Sequence, residues 1–307
     1  MPLRHAGVPR HDARGQEEKE KEQEEQEEVK DSGDPAPERV AETGSTNDDL
    51  LARVRAAAAA GATAFAPCLL VADRQRDGRG RHGRRWHATP DASLTFSIAW
   101  TSPRSDLSGL SLAVGCALAD AIDVRGRPLR IGLKWPNDLW LVEAASVPGE
   151  DIALSPGPLA ARAEGRKLAG ILVETAPLGG SRVAVIGVGI NIRAQEVADA
   201  TSGVGSVAEI DPDATPATTL ARVAPALFAA LRSFDTAGFA AFADRFAARD
   251  VLRGRHVAGT GTHGEVEGIA AGIAADGSLR IDTAAGPIAV ASGEWRLTRI
   301  ATAGSPC

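Results

Sequence analysis

The sequence predicts an α+β chain in which a larger domain of interleaved strands and helices precedes a small all-β domain. Three observations carry that expectation. In Leu107–Val124 the apolar residues Leu110, Val114, Leu118 and Ile122 recur at helical spacing. Runs such as Ser93–Trp100, Lys167–Thr175 and Arg182–Ile192 are short, apolar and bounded by turn residues, as strands are. After Leu252 the helical spacing stops, and strand-like runs alternate with Gly-rich turns. With 307 residues, 44% of them apolar, the chain can build one large domain and one small one.

Residues 1–38 are polar and almost without large apolar side chains, so they are expected to be disordered, with too little surface to bury against the entropy of ordering. Residues 16–28 hold eight Glu and two Lys, which accounts for the whole net charge of −6. The rest of the chain is nearly neutral, with its basic charge local to Arg74–Arg85. Such a body argues against a general nucleic-acid binder and against specific DNA binding. No apolar run reaches the length of a membrane span, and Met1–Gly15 lacks the apolar stretch of a signal peptide. Cys68 and Cys116 sit in apolar runs and read as small core residues, and Cys307 is remote from both. A reducing cytoplasm fits this usage.

The larger domain is expected over residues 39–251. Ser45 followed by Asp48 resembles a capping box, opening a helix from about Thr46 to Ala60 with Gly61 as its stop. Pro67–Ala72 and Ser93–Trp100 read as strands flanking a basic loop, and Leu107–Val124 as a helix. Arg130–Pro136 and Asp138–Val142 read as strands joined at the turn-forming Pro136–Asn137 pair. Residues 143–165, rich in Ala, Pro, Gly and Ser, read as an inserted surface loop. Lys167–Thr175 and Arg182–Ile192 are expected to form a hairpin, and helices over Pro216–Phe234 and Gly238–Asp250 to close the domain. Residues 252–302 are expected to form a small β barrel or curled sheet that leans on the larger domain.

The loop Gly78–Trp86, GRGRHGRRW, concentrates three glycines and four arginines in nine residues. Glycine permits close backbone approach, and arginine offers a planar fork of donors suited to phosphate. Gly78, Gly80 and Gly83 also satisfy G-x-G-x-x-G, but the strand before them stops short and Pro90 opposes a helix behind them. A Rossmann site is therefore disfavoured. Further stretches with chemistry are KWPND (Lys134–Asp138), KLAGILVET (Lys167–Thr175) and GVGIN (Gly187–Asn191). Taken singly, Lys134 and Lys167 read as ordinary strand-end charges.

Together and in this order, STN (Ser45–Asn47), GRGRHGRRW, KWPND, KLAGILVE and GVGIN resemble the biotin protein ligases, over about Thr43–Trp295. The resemblance implies a mixed-sheet catalytic domain with flanking helices, then an SH3-like barrel, in the class that lacks an N-terminal DNA-binding domain. It implies ATP-dependent formation of biotinyl-5′-adenylate and transfer of biotin to a lysine of a carboxyl carrier domain. Two anions must be brought together, which asks for cations; Arg79, Arg81 and Arg84 are the candidates. Lys167 would contact the reacting carboxylate and phosphate oxygens, so Lys167, Arg81 and Arg79 form the expected catalytic set. Ser45, Thr46, Asn47 and Gln75 would make polar contacts to biotin, with the Gly80 and Arg81 backbone over it. Gly170, Ile171, Leu172 and Gly189 would line its tail. Trp86, Lys134, Asn137 and Asn191 would lie with the arginines toward ATP, and Asp138 would orient its neighbours. Mg²⁺ would be held mainly by phosphates, since no ligand cluster is visible.

Two departures from the family pattern stand out, the 143–165 segment and the want of an adenine-stacking aromatic after Asn191. A lipoate ligase, which runs the same chemistry on a related fold, and a non-catalytic nucleotide- or nucleic-acid-binding module are the rival readings. The sequence leaves open whether the protein is a homodimer.

Overall fold

The computed structural model describes residues 33–123, 129–142, 165–195, 203–261 and 264–297. Most of the acidic segment expected to be disordered, and all but the last residue of the expected 143–165 loop, lie outside these residues. From residue 36 onward the chain forms a single compact unit.

A seven-stranded sheet runs through the larger part, in the order β1-β2-β3-β7-β6-β5-β4. Its strands are β1 (Pro37–Thr43), β2 (Cys68–Gln75), β3 (Ser93–Ser102), β4 (Ile131–Lys134), β5 (Asp138–Val142), β6 (Gly165–Leu178) and β7 (Ser181–Asn191). The sheet is mixed because β1 runs parallel to β2 while the other pairs are antiparallel. Sequence reasoning missed β1 and began the larger domain at residue 39, two residues inside the strand. The residues PERVAET are mostly exposed and carry no apolar alternation. Ion pairs decorate the strand instead: Arg39–Asp73, Arg53–Glu38 and Arg74–Glu42. Gly165, expected in the loop, is the first residue of β6.

Period-two alternation divides the sheet between two cores. Leu69, Val71, Leu94, Phe96, Ile98, Ile186 and Val188 face the larger core, with helices α2 (Leu110–Ile122) and α3 (Pro216–Ala237). Leu70, Ala99, Ala176, Val183 and Val185 face the other way, against Leu50, Leu51 and Val54 of helix α1 (Thr46–Ala59). Ser45 caps α1 as expected, its side chain accepting from the Asp48 N–H. The expected helix over Gly238–Asp250 divides into a 3₁₀ turn, Gly238–Phe242, and helix α4, Ala243–Arg249.

The C-terminal strands β8 (His256–Gly261), β9 (Gly264–Ile273), β10 (Leu279–Thr283), β11 (Gly286–Val290) and β12 (Glu294–Leu297) form an antiparallel sheet in the order β11-β10-β9-β8-β12. Its buried Val257, Leu279, Ile281 and Trp295 are continuous with the larger core. The Trp135 indole N–H donates to the Gly277 carbonyl at 2.8 Å, tying the KWPND turn to this sheet. At the junction, Asp250 is buried and accepts from the Leu252 N–H at 2.9 Å, while its second oxygen has no partner among the described residues. Burial pushes its carboxyl up to about 6. Burial likewise pushes the Cys116 thiol up to about 12, so it is an inert core group, as its sequence setting suggested.

Candidate functional site

The α1 face of the sheet is where the apolar pattern fails. On β3 the residues opposite Leu94, Phe96 and Ile98 are Ser93, Thr95 and Ser97, all buried. On β6 and β7 the cross-strand pairs Leu172–Gly187 and Gly170–Gly189 replace bulk with open backbone. Asn47 and the Trp86 indole take up the space over these glycines, and the groups around them line a cavity of about 740 Å³ that extends to the C-terminal sheet, a volume suited to a small-molecule ligand.

The glycines of GVGIN are required by what lies on them. A Cβ at Gly187 would sit 2.4 Å from Asn47 Oδ1, and one at Gly189 would sit 2.2 Å from Trp86 Cε2. The indole of Trp86 therefore lies against the Gly170–Gly189 pair, its N–H buried and without a hydrogen-bond partner among the described residues. The loop that carries it doubles back on itself: Trp86 N–H donates to Gly78 O at 2.8 Å and Gly80 N–H to Arg84 O at 2.7 Å. His82 (φ 54°) and Gly83 (φ 73°) take the left-handed conformation that closes the tip. Sequence reasoning grouped Trp86 with the phosphates; the structure lays it on the strands that carry Gly170 and Gly189.

At one end of the cavity a chain of polar groups, buried at its centre and half-buried at its ends, runs from β2 through α1 and β3 to β6. Gln75 Oε1 accepts from the Thr46 N–H at 2.8 Å and lies 3.0 Å from Thr46 Oγ1. Thr46 Oγ1 is 2.6 Å from Ser97 Oγ, which is 2.6 Å from Asn47 Oδ1. Asn47 Nδ2 donates to Glu174 Oε2 at 2.9 Å. Thr46, Asn47 and Gln75 were expected here; Ser97 and Glu174 were not. The signal for Ser97 was present as the Ser93, Thr95, Ser97 alternation, which puts one polar face on an otherwise apolar strand. Ser45 joins the same wall, buried beside the cap.

Cations gather further along. Arg81 makes no ion pair with the described residues, and burial lowers its pKa, with Asp138 and Glu294 opposing. Burial also lowers the pKa of Lys134, Asp138 opposes and Lys167 adds to the lowering. Lys134 Nζ rests 4.8 Å from the centre of the Trp140 ring. Lys167 Nζ is 2.7 Å from Asp138 Oδ1, an ion-pair contact without aligned hydrogen-bond geometry, and 5.8 Å from the centre of the Trp86 ring. Partly desolvated cations around two carboxylates, Asp138 and Glu294, make this end of the cavity suited to an anion.

The other expected residues are already engaged. Arg79 contacts Asp48 and lies 3.3 Å from both Glu174 oxygens. Arg84 pairs with Glu294 of β12 at 2.6 Å, tying the loop to the C-terminal sheet. Asn137 Nδ2 donates to Ile171 O at 2.8 Å, and Asn191 Nδ2 to Lys167 O at 3.1 Å, so both amides brace β6. Gln195 Nε2 donates to Asn191 Oδ1 at 2.7 Å. Gly80, Ile171 and Leu172 line the cavity. Among the described residues no three His, Cys, Asp or Glu side chains gather to hold a metal.

Residues 62–191 match the biotin/lipoate A/B protein ligase family, and residues 253–294 match the biotin protein ligase C-terminal domain. The biotin--[acetyl-CoA-carboxylase] ligase of Mycobacterium tuberculosis is 38% identical over 192 residues, 61% of this chain and 56% of that protein. The bifunctional ligase/repressor BirA of Escherichia coli is 31% identical over 217 residues, 69% of this chain and 60% of that protein. The matched region thus spans under two thirds of each relative's length. A solved structure of the Aquifex aeolicus biotin protein ligase, in complex with biotin and ATP, is 25% identical with a TM-score of 0.64, covering 86% of this chain and 98% of the other.

Proposed function

We propose that the chain, whose residues 62–191 match the biotin/lipoate A/B protein ligase family and whose residues 253–294 match the biotin protein ligase C-terminal domain, joins biotin to a lysine of a biotin carboxyl carrier domain at the expense of ATP. The observation that carries the reading is the division of one cavity into a buried polar end and a desolvated cationic end.

Biotin's ureido ring offers two N–H donors and a carbonyl, which the polar chain of Ser45, Thr46, Asn47 and Gln75 can meet. A dithiolane has no such groups and would meet none of the accepting capacity this chain has left over. That favours biotin over lipoate. The tail would run past Leu172 and along the Trp86 indole, which itself lies on Gly170 and Gly189, with the Gly80–Arg81 backbone covering it. Its carboxylate would then reach the cations.

In the first step a carboxylate oxygen attacks the α-phosphorus of ATP, forming the acyl–phosphate bond and releasing pyrophosphate. Arg81, Lys134 and Lys167 offset the charge of the two anions as they meet. In the second step the uncharged carrier lysine attacks the acyl carbon, AMP leaves, and the amine's second proton is lost to solvent. Lys167 stays on the oxygens of the leaving phosphate throughout. Arg79 and Arg84 reach ATP only by exchanging their present carboxylate partners for phosphate. Mg²⁺ would neutralise charge on the triphosphate; the donor set, with no cluster of three ligands among the described residues, fits a metal carried in by the nucleotide.

We read residues 252–302 as the SH3-like domain, with Glu294 closing the cationic end, and residues 37–251 as the catalytic domain, enlarged from the expected bound by β1. Among the described residues no helix is long and apolar enough to cross a membrane. The free thiols Cys68 and Cys116 suit a reducing cytoplasm. The repressor activity in the name of the E. coli relative is not carried over. The test is acid-dependent ATP–pyrophosphate exchange: biotin should stimulate it and lipoate should not. Stimulation by lipoate alone would replace this reading with its rival.

A further inference from the structure

We propose that Glu174, which does not itself line the cavity, fixes the hydrogen-bond polarity of the buried chain and so makes the site select a ligand that brings an N–H donor. The proposal rests on the biotin reading above and deepens it.

Gln75 Oε1 accepts the Thr46 backbone N–H at 2.8 Å, so the oxygen of that carboxamide faces Thr46. At the far end a carboxylate can only accept. Asn47 therefore presents Nδ2 to Glu174, at 2.9 Å, and to Leu172 O, at 3.5 Å, and turns Oδ1 toward Ser97. Between these two fixed acceptors lie three short contacts: Thr46–Gln75 at 3.0 Å, Thr46–Ser97 at 2.6 Å and Ser97–Asn47 at 2.6 Å. The two hydroxyls bring one hydrogen each. The row is one hydrogen short, so one contact sets lone pair against lone pair.

Turning Asn47 over would cure this. Nδ2 would donate to Ser97, Ser97 to Thr46 and Thr46 to Gln75. The same turn would aim Oδ1 at the Glu174 carboxylate and the Leu172 carbonyl, which repel it. Glu174 thus holds the row in its hydrogen-poor state, and Arg79, 3.3 Å from both carboxylate oxygens, supplies the countercharge. Thr46, Asn47, Gln75 and Ser97 all line the cavity. Their spare accepting capacity is what a cyclic urea N–H can fill and a ring oxygen cannot. A site built this way discriminates strongly against an analogue that lacks the donor.

Glu174 is accordingly a positioning residue for ligand choice. The test measures, by calorimetry, binding of biotin and of an analogue with one ureido N–H replaced by oxygen, to the full-length wild type, Glu174→Gln and Glu174→Asp. Gln can present its NH₂ to Asn47, so Asn47 turns and the row fills itself. The preference for biotin over the analogue should fall about tenfold in Glu174→Gln and be retained in Glu174→Asp, both proteins keeping the wild-type melting temperature within a few degrees. The ratio is read because freeing Arg79 affects both ligands alike. An unchanged ratio in Glu174→Gln, or an equal fall in Glu174→Asp, overturns the proposal. A wild type that binds neither ligand would instead overturn the biotin reading itself.

Discussion

Gly189→Ala tests how the Arg/Gly loop is held. A methyl group there would lie 2.2 Å from Trp86 Cε2, 2.5 Å from Cζ2 and 2.6 Å from Nε1. Ordinary carbon contacts lie at about 3.5–4.0 Å, so the ring must retreat by more than about 1 Å. Overpacking of this kind costs about 1–3 kcal/mol. Part of it is offset because Gly189, in mid-strand and without positive φ, gives way to a residue that orders at about 0.5–1 kcal/mol less cost. The net loss of about 1–2 kcal/mol should lower the melting temperature by only a few degrees. The loop moves with its tryptophan, however, and takes Arg81 with it. A displacement of about 1 Å at the reacting centre costs about a hundredfold in rate. Biotin-dependent pyrophosphate exchange should therefore fall about a hundredfold in kcat/KM. Gly170→Ala is the graded control: its methyl would meet Trp86 Cζ3 and the Lys167 side chain at 3.3 Å, a shift of tenths of an ångström, and should cost less than about tenfold. Wild-type exchange in Gly189→Ala, or a greater loss in Gly170→Ala, would refute the idea that the ring on β7 positions the loop.

Three further outcomes are expected. Lys167→Ala should leave the fold intact and lower both adenylation and transfer by about 10²–10³-fold, as loss of an oxyanion contact does; single-turnover rates within tenfold of wild type would remove Lys167 from the chemistry. A chain beginning at Gly44 should melt well below one beginning at Gly33, because it uncovers the β2 edge and loses Val40 from the α1 cluster; coincident melts would make β1 dispensable. For Asp250, whose carboxyl is raised from 3.8 to about 6 by burial, the stability it contributes is fully present below pH 3.8 and lost as pH rises through about 6. Relative to Asp250→Asn, the wild type should therefore lose about 3 kcal/mol across that window, and urea unfolding showing a pH-independent difference would contradict it.

The sequence made the long, periodic elements plain. Ser45 and Asp48 announced α1, Leu110 to Ile122 announced α2, and Gly179–Gly180 make the turn of the expected β6–β7 hairpin. It concealed β1, because an edge strand held by Arg39, Glu38 and Glu42 shows charge rather than alternation. Most of the candidate site was legible as well, since Thr46, Gln75, Arg81, Lys134 and Lys167 do converge on one cavity. What it could not show was partnership. Arg79 and Arg84 read as free cations until the fold brought Asp48, Glu174 and Glu294 to them from 31, 95 and 210 residues away. Asn137 and Asn191 read as ligand contacts, yet their amides are engaged with the β6 backbone. The meaning of Gly187 and Gly189 likewise waited on Asn47 and Trp86, which fill the space those glycines leave.

The most direct measurement of the central claim is the intact mass of a biotin carboxyl carrier domain after incubation with this protein, biotin and Mg-ATP. The carrier should gain one biotinyl group, located by peptide mapping on a single lysine, with AMP and pyrophosphate formed in equal amounts. An unmodified carrier in the presence of bound biotin and intact ATP would contradict it.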